Sequence, residues 1–289
     1  MIRKSYPIYF AIAAIVLYTI FFVAPGVMGI YYSFTDWNSY TTEVNFIGLD
    51  NFKKIFTSNT NYVGFIENTL IFTVSTVILK TLLGLLFAIA LNEGIKMKGF
   101  HRVALFLPSI LPMLVVGLIF KSILHPATGL LNETLRFIGL DVMTQKWLVD
   151  LAWAFKSIIA VDIWKGVGYI MIILLAGLQS ISKTYYEAAS IDGANGWQKF
   201  IHVTLPLLIP SLLVTTVLNM LHGLKVFEVV YVLTNGGPGD ATDVIYTSIF
   251  KEFSSGNYGM GTALSTALFV VMTILGYFVI RVMAREDDQ

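Results

Sequence analysis

The chain has 289 residues, of which 56% are hydrophobic and only 13% charged, with a formal net charge of +1 at neutral pH. Ordinary soluble domains carry roughly 45–50% apolar and about 25% charged residues, so this chain lacks the polar surface to enclose a soluble core. The absence of a basic excess argues against nucleic acid as a partner, and the absence of cysteine excludes disulfides, thiolate metal sites and cysteine nucleophiles.

An apolar run of about 20 residues is needed to cross a hydrocarbon core of about 30 Å. Six runs qualify, at 8–30, 66–91, 103–120, 151–178, 203–224 and 261–280, which predicts an all-α, polytopic integral membrane protein with six transmembrane helices and a single transmembrane domain over 1–289. The first run follows Arg3 and Lys4 but stays apolar longer than a signal-peptide core and lacks a clear A-x-A site, so it reads as a retained helix with Pro25 near its outer end. In the second run, Lys80, and Glu67 at its start, read as snorkelling or subunit-contact residues. Pro108 and Pro112 read as kinks in the third run.

Positive segments stay cytoplasmic. With the N-terminus inside, the inner segments hold 9 Lys/Arg in 51 residues and the outer ones 7 in 101, which puts both termini in the cytoplasm. Trp37, Tyr40, Trp147 and Tyr258 fall in outer loops, where amphipathic aromatics sit at headgroup level in contact with membrane lipid. The acidic end at Glu286, Asp287 and Asp288 reads as a solvated tail. No loop exceeds 36 residues, so there is no room for a soluble catalytic domain. A phosphate-cradling G-x-x-x-x-G-K-[ST] loop is absent and the four histidines are scattered, so the chain carries neither a nucleotide site nor a histidine metal face.

The fourth run contains Lys156, Asp162 and Lys165, polar groups at a depth where they are costly and functional by default. Asp162 and Lys165 are three residues apart and can pair on one helix face. Asp162, Lys165 and Tyr169 also follow i, i+3, i+7 spacing, a single stripe on which Gly166 leaves room for a ligand. In the fifth run Asn219, His222 and Gly223 lie at i, i+3, i+4 and can form a facing wall, or an interhelical hydrogen bond at His222 with close packing at Gly223.

Between these runs, the inner segment 179–202 includes Thr184 and Glu187 at capping-box spacing. A short helix is predicted from near Tyr185, about eight residues long, with Asp192-Gly193 as its stop because glycine accepts the left-handed conformation. The small residues of this loop let another protein approach its backbone, and Trp197 and Phe200 return the chain to the bilayer. Pro206 and Pro210 then sit near the start of the fifth run.

Glu187-Ala188-Ala189, Asp192-Gly193-Ala194, Phe200 and Leu205-Pro206 with Pro210 together resemble the EAA loop of permease subunits of binding-protein-dependent ABC importers. The segment Thr234-Asn235-Gly236-Gly237-Pro238 after the fifth run is a turn by composition. At this distance from the loop, and with Gly48-Leu49-x-Asn51-Phe52 in the first outer segment, it is similar to the carbohydrate-uptake subfamily, on the side of the larger maltose permease subunit in a compact six-helix form. The resemblance implies an ABC importer permease of the MetI-like fold in a bacterial or archaeal cytoplasmic membrane. Its implied partners are a second permease subunit, two ATP-binding subunits, an extracytoplasmic sugar-binding protein and a carbohydrate.

It further implies that Glu187, Ala188, Ala189, Asp192, Gly193 and Ala194 form the helix that couples to the ATPase. Sugar contacts would come from Asp162, Lys165, Gly166, Tyr169, Asn219, His222 and Gly223, since hydroxyl-rich ligands need donors, acceptors and aromatic faces. ATP and Mg would be bound by the partner ATPases, with no cofactor and no catalytic residue in this chain. Alternatives are a permease for a polyol or glycerol phosphate, an ion-coupled secondary transporter using Asp162, and an intramembrane lipid enzyme using Asp162 or His222.

Overall fold

The structure, a computed structural model, describes residues 8–58, 60–94 and 96–286. The expectations for Arg3, Lys4, Asp287 and Asp288 lie outside the described residues. Among those described, the regular structure is helical apart from one antiparallel bridge between Thr35 and Phe46. In chain order the α-helices are α1 (Ile8–Tyr18), α2 (Ala24–Tyr32), α3 (Asp50–Thr57), α4 (Tyr62–Asn92), α5 (Lys98–Ile110), α6 (Met113–Ile123) and α7 (Leu130–Phe137). They continue with α8 (Ala154–Ser180), α9 (Lys183–Ile191), α10 (Gly196–Lys199), α11 (Leu205–Leu224), α12 (Glu228–Leu233), α13 (Ile245–Ser254) and α14 (Tyr258–Glu286). One π-turn, Thr19–Val23, joins α1 to α2, and another, Phe200–Thr204, joins α10 to α11.

Both π-turns precede a proline by the same interval. The Ala24 N–H reaches back to Thr19 O just before Pro25, and the Leu205 N–H reaches back to Phe200 O just before Pro206. A proline ring clashes with the carbonyl four residues earlier and donates no hydrogen bond, and one wide turn absorbs both problems without breaking the span. The fifth span therefore runs continuously over Gly196–Leu224, seven residues earlier than its apolar run predicted.

Among the described residues, five helices are long and apolar enough to cross a membrane; α5 and α6 would make a sixth crossing only as a pair bent by 98°. The run expected as a third span at 103–120 is thus divided between α5 and α6. The bend has a local cause: Pro112 disfavours helical backbone at the residue before it, and Leu111 is extended, with φ −67 and ψ 138. Pro108 remains inside α5.

The chain divides into two compact units. The first comprises residues up to 63 together with 248–273. Its α1 and α2 bury none of their described side chains, and a helix apolar all round is made for lipid or for another chain. Beyond α2 the backbone is held by Asn51, whose amide is buried and donates to Ser33 O at 3.1 Å and Thr35 O at 2.8 Å. Gly48, with φ +62, makes the turn that delivers α3 and Asn51 to that position. Trp37 packs on Tyr258 with ring centroids 4.7 Å apart, while the exposed Tyr40 donates to Ser255 O at 2.6 Å and ties its loop back to that segment. At the half-buried Asp36, hydrogen bonds from Asn45 hold the carboxyl below its usual range.

The second unit comprises residues 64–247 and 274 onward. Its core has two apolar clusters, one around Phe72, Val116, Ile158 and Val230, the other around Ala88, Met171, Leu174 and Leu208. Helices approach closely where glycines remove side chains. A Cβ on Gly84 would come 3.0 Å from Ile170, one on Gly177 would meet Ser211 and Leu208, and one on Gly223 would come 2.7 Å from Thr73 Cα. Small residues at crossings are how helices gain packing when lipid is as apolar as leucine.

Candidate functional site

Along α4, Phe72 belongs to one apolar cluster and Ala88 to the other, and Lys80 falls midway between them. Lys80 is 2% exposed and lies twelve residues, about 18 Å, from the nearer end of its helix, beyond the reach of a snorkelling side chain. Its Nζ sits 2.6 Å from Oδ2 of Asp162, itself 3% exposed on α8. His222 on α11 completes the group, its Nε2 donating to Asp162 Oδ1 at 3.0 Å. The pairing expected between Asp162 and Lys165 is replaced by this three-helix arrangement.

Lys165 instead turns to α5. Its ammonium donates to Ser109 O at 3.4 Å, while the Ser109 hydroxyl donates to Lys165 O at 2.8 Å. Ser109 belongs to the last turn of α5, where carbonyls lack helical partners and a cation is favoured. Three residues on α8 are enough to swing a side chain from α4 to α5, which spacing along one helix cannot reveal.

Gly166 makes the ion pair possible, because a Cβ there would come within 2.8 Å of both Cε and Nζ of Lys80. The room left on this stripe is filled by a lysine. Gly223 likewise sits against Thr73 in a helix crossing.

A cavity of about 560 Å³ opens beside this group, within the range of roughly 300–1,000 Å³ typical of small-ligand sites. Of the predicted residues, Asp162, Lys165, Gly166, Tyr169, Asn219 and His222 line it, and Gly223 does not. Sequence reasoning missed Lys80, Ser109, Phe227, Glu228 and Tyr246, which also line it. Lys80 carried a signal, as a lone cation in the middle of an apolar run. Phe227 and Glu228 carried none, because they follow the fifth span and are folded back by α12. Burial pushes the Tyr246 hydroxyl up from its ordinary pKa.

The wall combines the aromatic faces of Tyr169, Phe106 and Phe227 with two polar groups one helical turn apart on α11. His222 is 53% exposed. Asn219 is 4% exposed, and its side-chain nitrogen has no hydrogen-bond partner among the described residues. An orphaned buried donor at a cavity wall costs stability unless something else meets it.

The segment after α8 forms a second exposed feature. Helix α9 is capped by Ser182, whose hydroxyl accepts from the Thr184 N–H, so the cap falls two residues before the expected Thr184. Its end is as predicted: Gly193 has φ +77, and Ala194 N–H donates to Ala189 O at 2.9 Å while Gly193 N–H donates to Ser190 O at 3.1 Å. That pair of bonds is the glycine-terminated closure known as the Schellman motif. Asn195 and Gln198 then cap each other reciprocally to start α10. Tyr185, Ala188, Ala189, Asp192, Gly193 and Ala194 line a shallow groove, with Ile191 beside them 86% exposed.

Long apolar helices, a polar and aromatic cavity among them, and a short exposed helix after the fourth span define a membrane permease. Residues 80–286 match the model of the binding-protein-dependent transport system inner membrane component, and the chain belongs to that family. It is 35% identical over 271 residues to the trehalose/maltose transport system permease protein MalF of Thermococcus litoralis, covering 91% of this chain and 89% of that one. Its fold matches the crystal structure of a bacterial ABC transporter involved in import of the acidic polysaccharide alginate, with a TM-score of 0.84, 28% identity and coverage of 96% of this chain and 94% of that one. The crystal structure of a bacterial alginate ABC transporter in complex with an alginate pentasaccharide-bound periplasmic protein also matches, with a TM-score of 0.80 and 28% identity, covering 94% and 92%. The all-α, MetI-like permease fold that the resemblance implied is therefore the fold observed.

Proposed function

We propose that this chain is the permease subunit of an ABC importer for a sugar or oligosaccharide and that the cavity beside Asn219 and His222 receives the carbohydrate during transport. The observation that carries this reading is the composition of the cavity wall. Hydroxyl groups need adjacent donors and acceptors, and the C–H face of a sugar ring is covered by an aromatic side chain. Asn219 and His222 provide the first, Tyr169 and Phe227 the second. The similarity to the trehalose/maltose permease supports the same ligand class.

The exposed α9 with its small-residue groove is the surface for an ATP-binding subunit. Glu187, Ala188, Ala189, Asp192, Gly193 and Ala194 form that contact, and Ile191 supplies exposed apolar area. In the working complex this chain pairs with a second permease, two ATP-binding subunits and an extracytoplasmic sugar-binding protein, with both termini in the cytoplasm. ATP and Mg are bound by the partner ATPases. ATP binding closes those subunits, α9 follows, and the cavity opens outward to the docked binding protein. Hydrolysis turns it inward.

The test is reconstitution of the co-purified complex in proteoliposomes with its binding protein. Sugar-stimulated ATP hydrolysis with accumulation of labelled sugar is the expected result. Sugar uptake that needs an ion gradient and no ATP would overturn the reading.

A further inference from the structure

Taking the cavity as the carbohydrate site, we infer that Lys80 is a positioning residue that acts on the ligand through Asp162 and His222, and that Asp162 makes no ligand contact. Asp162 is buried, with Oδ2 in an ion pair with Lys80 at 2.6 Å and Oδ1 accepting from His222 at 3.0 Å. At 3% exposure the carboxylate presents almost no surface to a hydroxyl arriving in the cavity. His222 is placed differently, since half of its side chain is exposed at the cavity.

The carboxylate accepts only, so the ring nitrogen facing it must carry a proton. A carboxylate whose charge is already balanced by an ammonium needs no more than a neutral donor from the imidazole. In the neutral tautomer whose Nε2–H is committed to Asp162, Nδ1 is an acceptor. Asn219, one turn earlier on α11, holds a side-chain nitrogen with no partner among the described residues. The two side chains together offer one acceptor and one donor, the complement of a neutral hydroxyl. Lys80 fixes half of that code from a second helix, and Gly166 supplies the space through which it does so. Lys165, Lys225 and Glu228 line the same cavity but lie outside this chain of contacts. The ligand class that follows is a neutral hydroxylated compound bound through hydroxyls at α11.

The experiment uses the whole complex with its binding protein and a panel of radiolabelled neutral sugars, trehalose and maltose included. Uptake, sugar moved per ATP hydrolysed, membrane abundance and co-purified ATP-binding subunit are read for each variant. His222→Gln keeps a donor for Asp162 and an acceptor for the ligand, and is expected to transport within about threefold of wild type, whereas His222→Leu falls by about tenfold or more at unchanged abundance. Lys80→Met is expected to lower sugar moved per ATP by a similar factor. Where Lys80→Met lowers abundance, the double variant Lys80→Met with Asp162→Asn carries the test, because it buries no uncompensated charge and its amide oxygen still accepts from His222. It is expected to assemble and transport within about threefold of wild type. Wild-type transport by His222→Leu or Lys80→Met, or an assembled double variant that moves no sugar, would overturn this inference alone. A wild-type complex that takes up none of the neutral sugars would overturn the carbohydrate reading and this inference with it.

Discussion

The carbonyl of Leu105 stands where a side chain on Gly168 would begin, so α5 and α8 touch backbone to backbone at that point. A Cβ on Gly168 would also come 2.8 Å from Phe106 Cα, and neither obstacle is a flexible side chain that could move aside. One turn along, the reciprocal bonds between Ser109 and Lys165 hold the same two helices. The contact therefore anchors α5 just before the bend at Leu111, beside the cavity.

Gly168→Ala should force α5 off α8 and destabilise the protein by about 1–3 kcal/mol, the usual cost of overpacking a tight site. Thermal unfolding of the purified complex in mild detergent measures this. Gly276→Ala, where a Cβ would meet nothing within 4 Å, is the control and should leave the midpoint unchanged.

Replacing Gly193 tests the end of α9. Its left-handed backbone costs a residue with a Cβ about 1–2 kcal/mol, yet the space around it is open. Gly193→Val should therefore insert in the membrane normally while reducing co-purification of the ATP-binding subunit and sugar uptake together. Normal uptake with full ATPase association would contradict a coupling role.

The start of the same helix separates two threonine and serine roles. Ser182→Ala should cost about 1 kcal/mol of local helix stability through loss of the cap, and Thr184→Ala much less. Hydrogen exchange across residues 183–191 would show faster opening in the first variant only. Equal effects would return the cap to Thr184.

Asn51→Ala removes the donor shared by two carbonyls and leaves them to find other partners, at about 1–3 kcal/mol for a buried unsatisfied group. Limited proteolysis is expected to cut within residues 33–49 faster in the variant, with α4 to α11 unaffected. Wild-type resistance would show that the aromatic contacts of Trp37 hold the segment without Asn51.

Much of this was legible in the chain itself. Apolar runs report transfer to lipid, which is a property of composition, so five of the expected runs coincide with long apolar helices. The closure of α9 was legible because a positive φ at Gly193 is a local demand that glycine meets. Prolines were visible, but their consequences divided: Pro25 and Pro206 were absorbed by π-turns, while Pro112 turned the third span through 98°. The difference lies in the residue before each proline: Ala24 and Leu205 stay helical, whereas Leu111 is extended.

The sequence by itself determined that this is a helical membrane protein and where its apolar segments lie, because these follow from composition and periodicity; its class and the place of its cavity came through the resemblance of the segment from Glu187 to Pro210 to ABC importer permeases. Only the tertiary structure decided that Asp162 pairs with Lys80 and His222 across three helices, that Lys165 serves α5, and that Gly166 makes room for a lysine. Buried charges choose partners by geometry across helices, and no spacing along one helix carries that information.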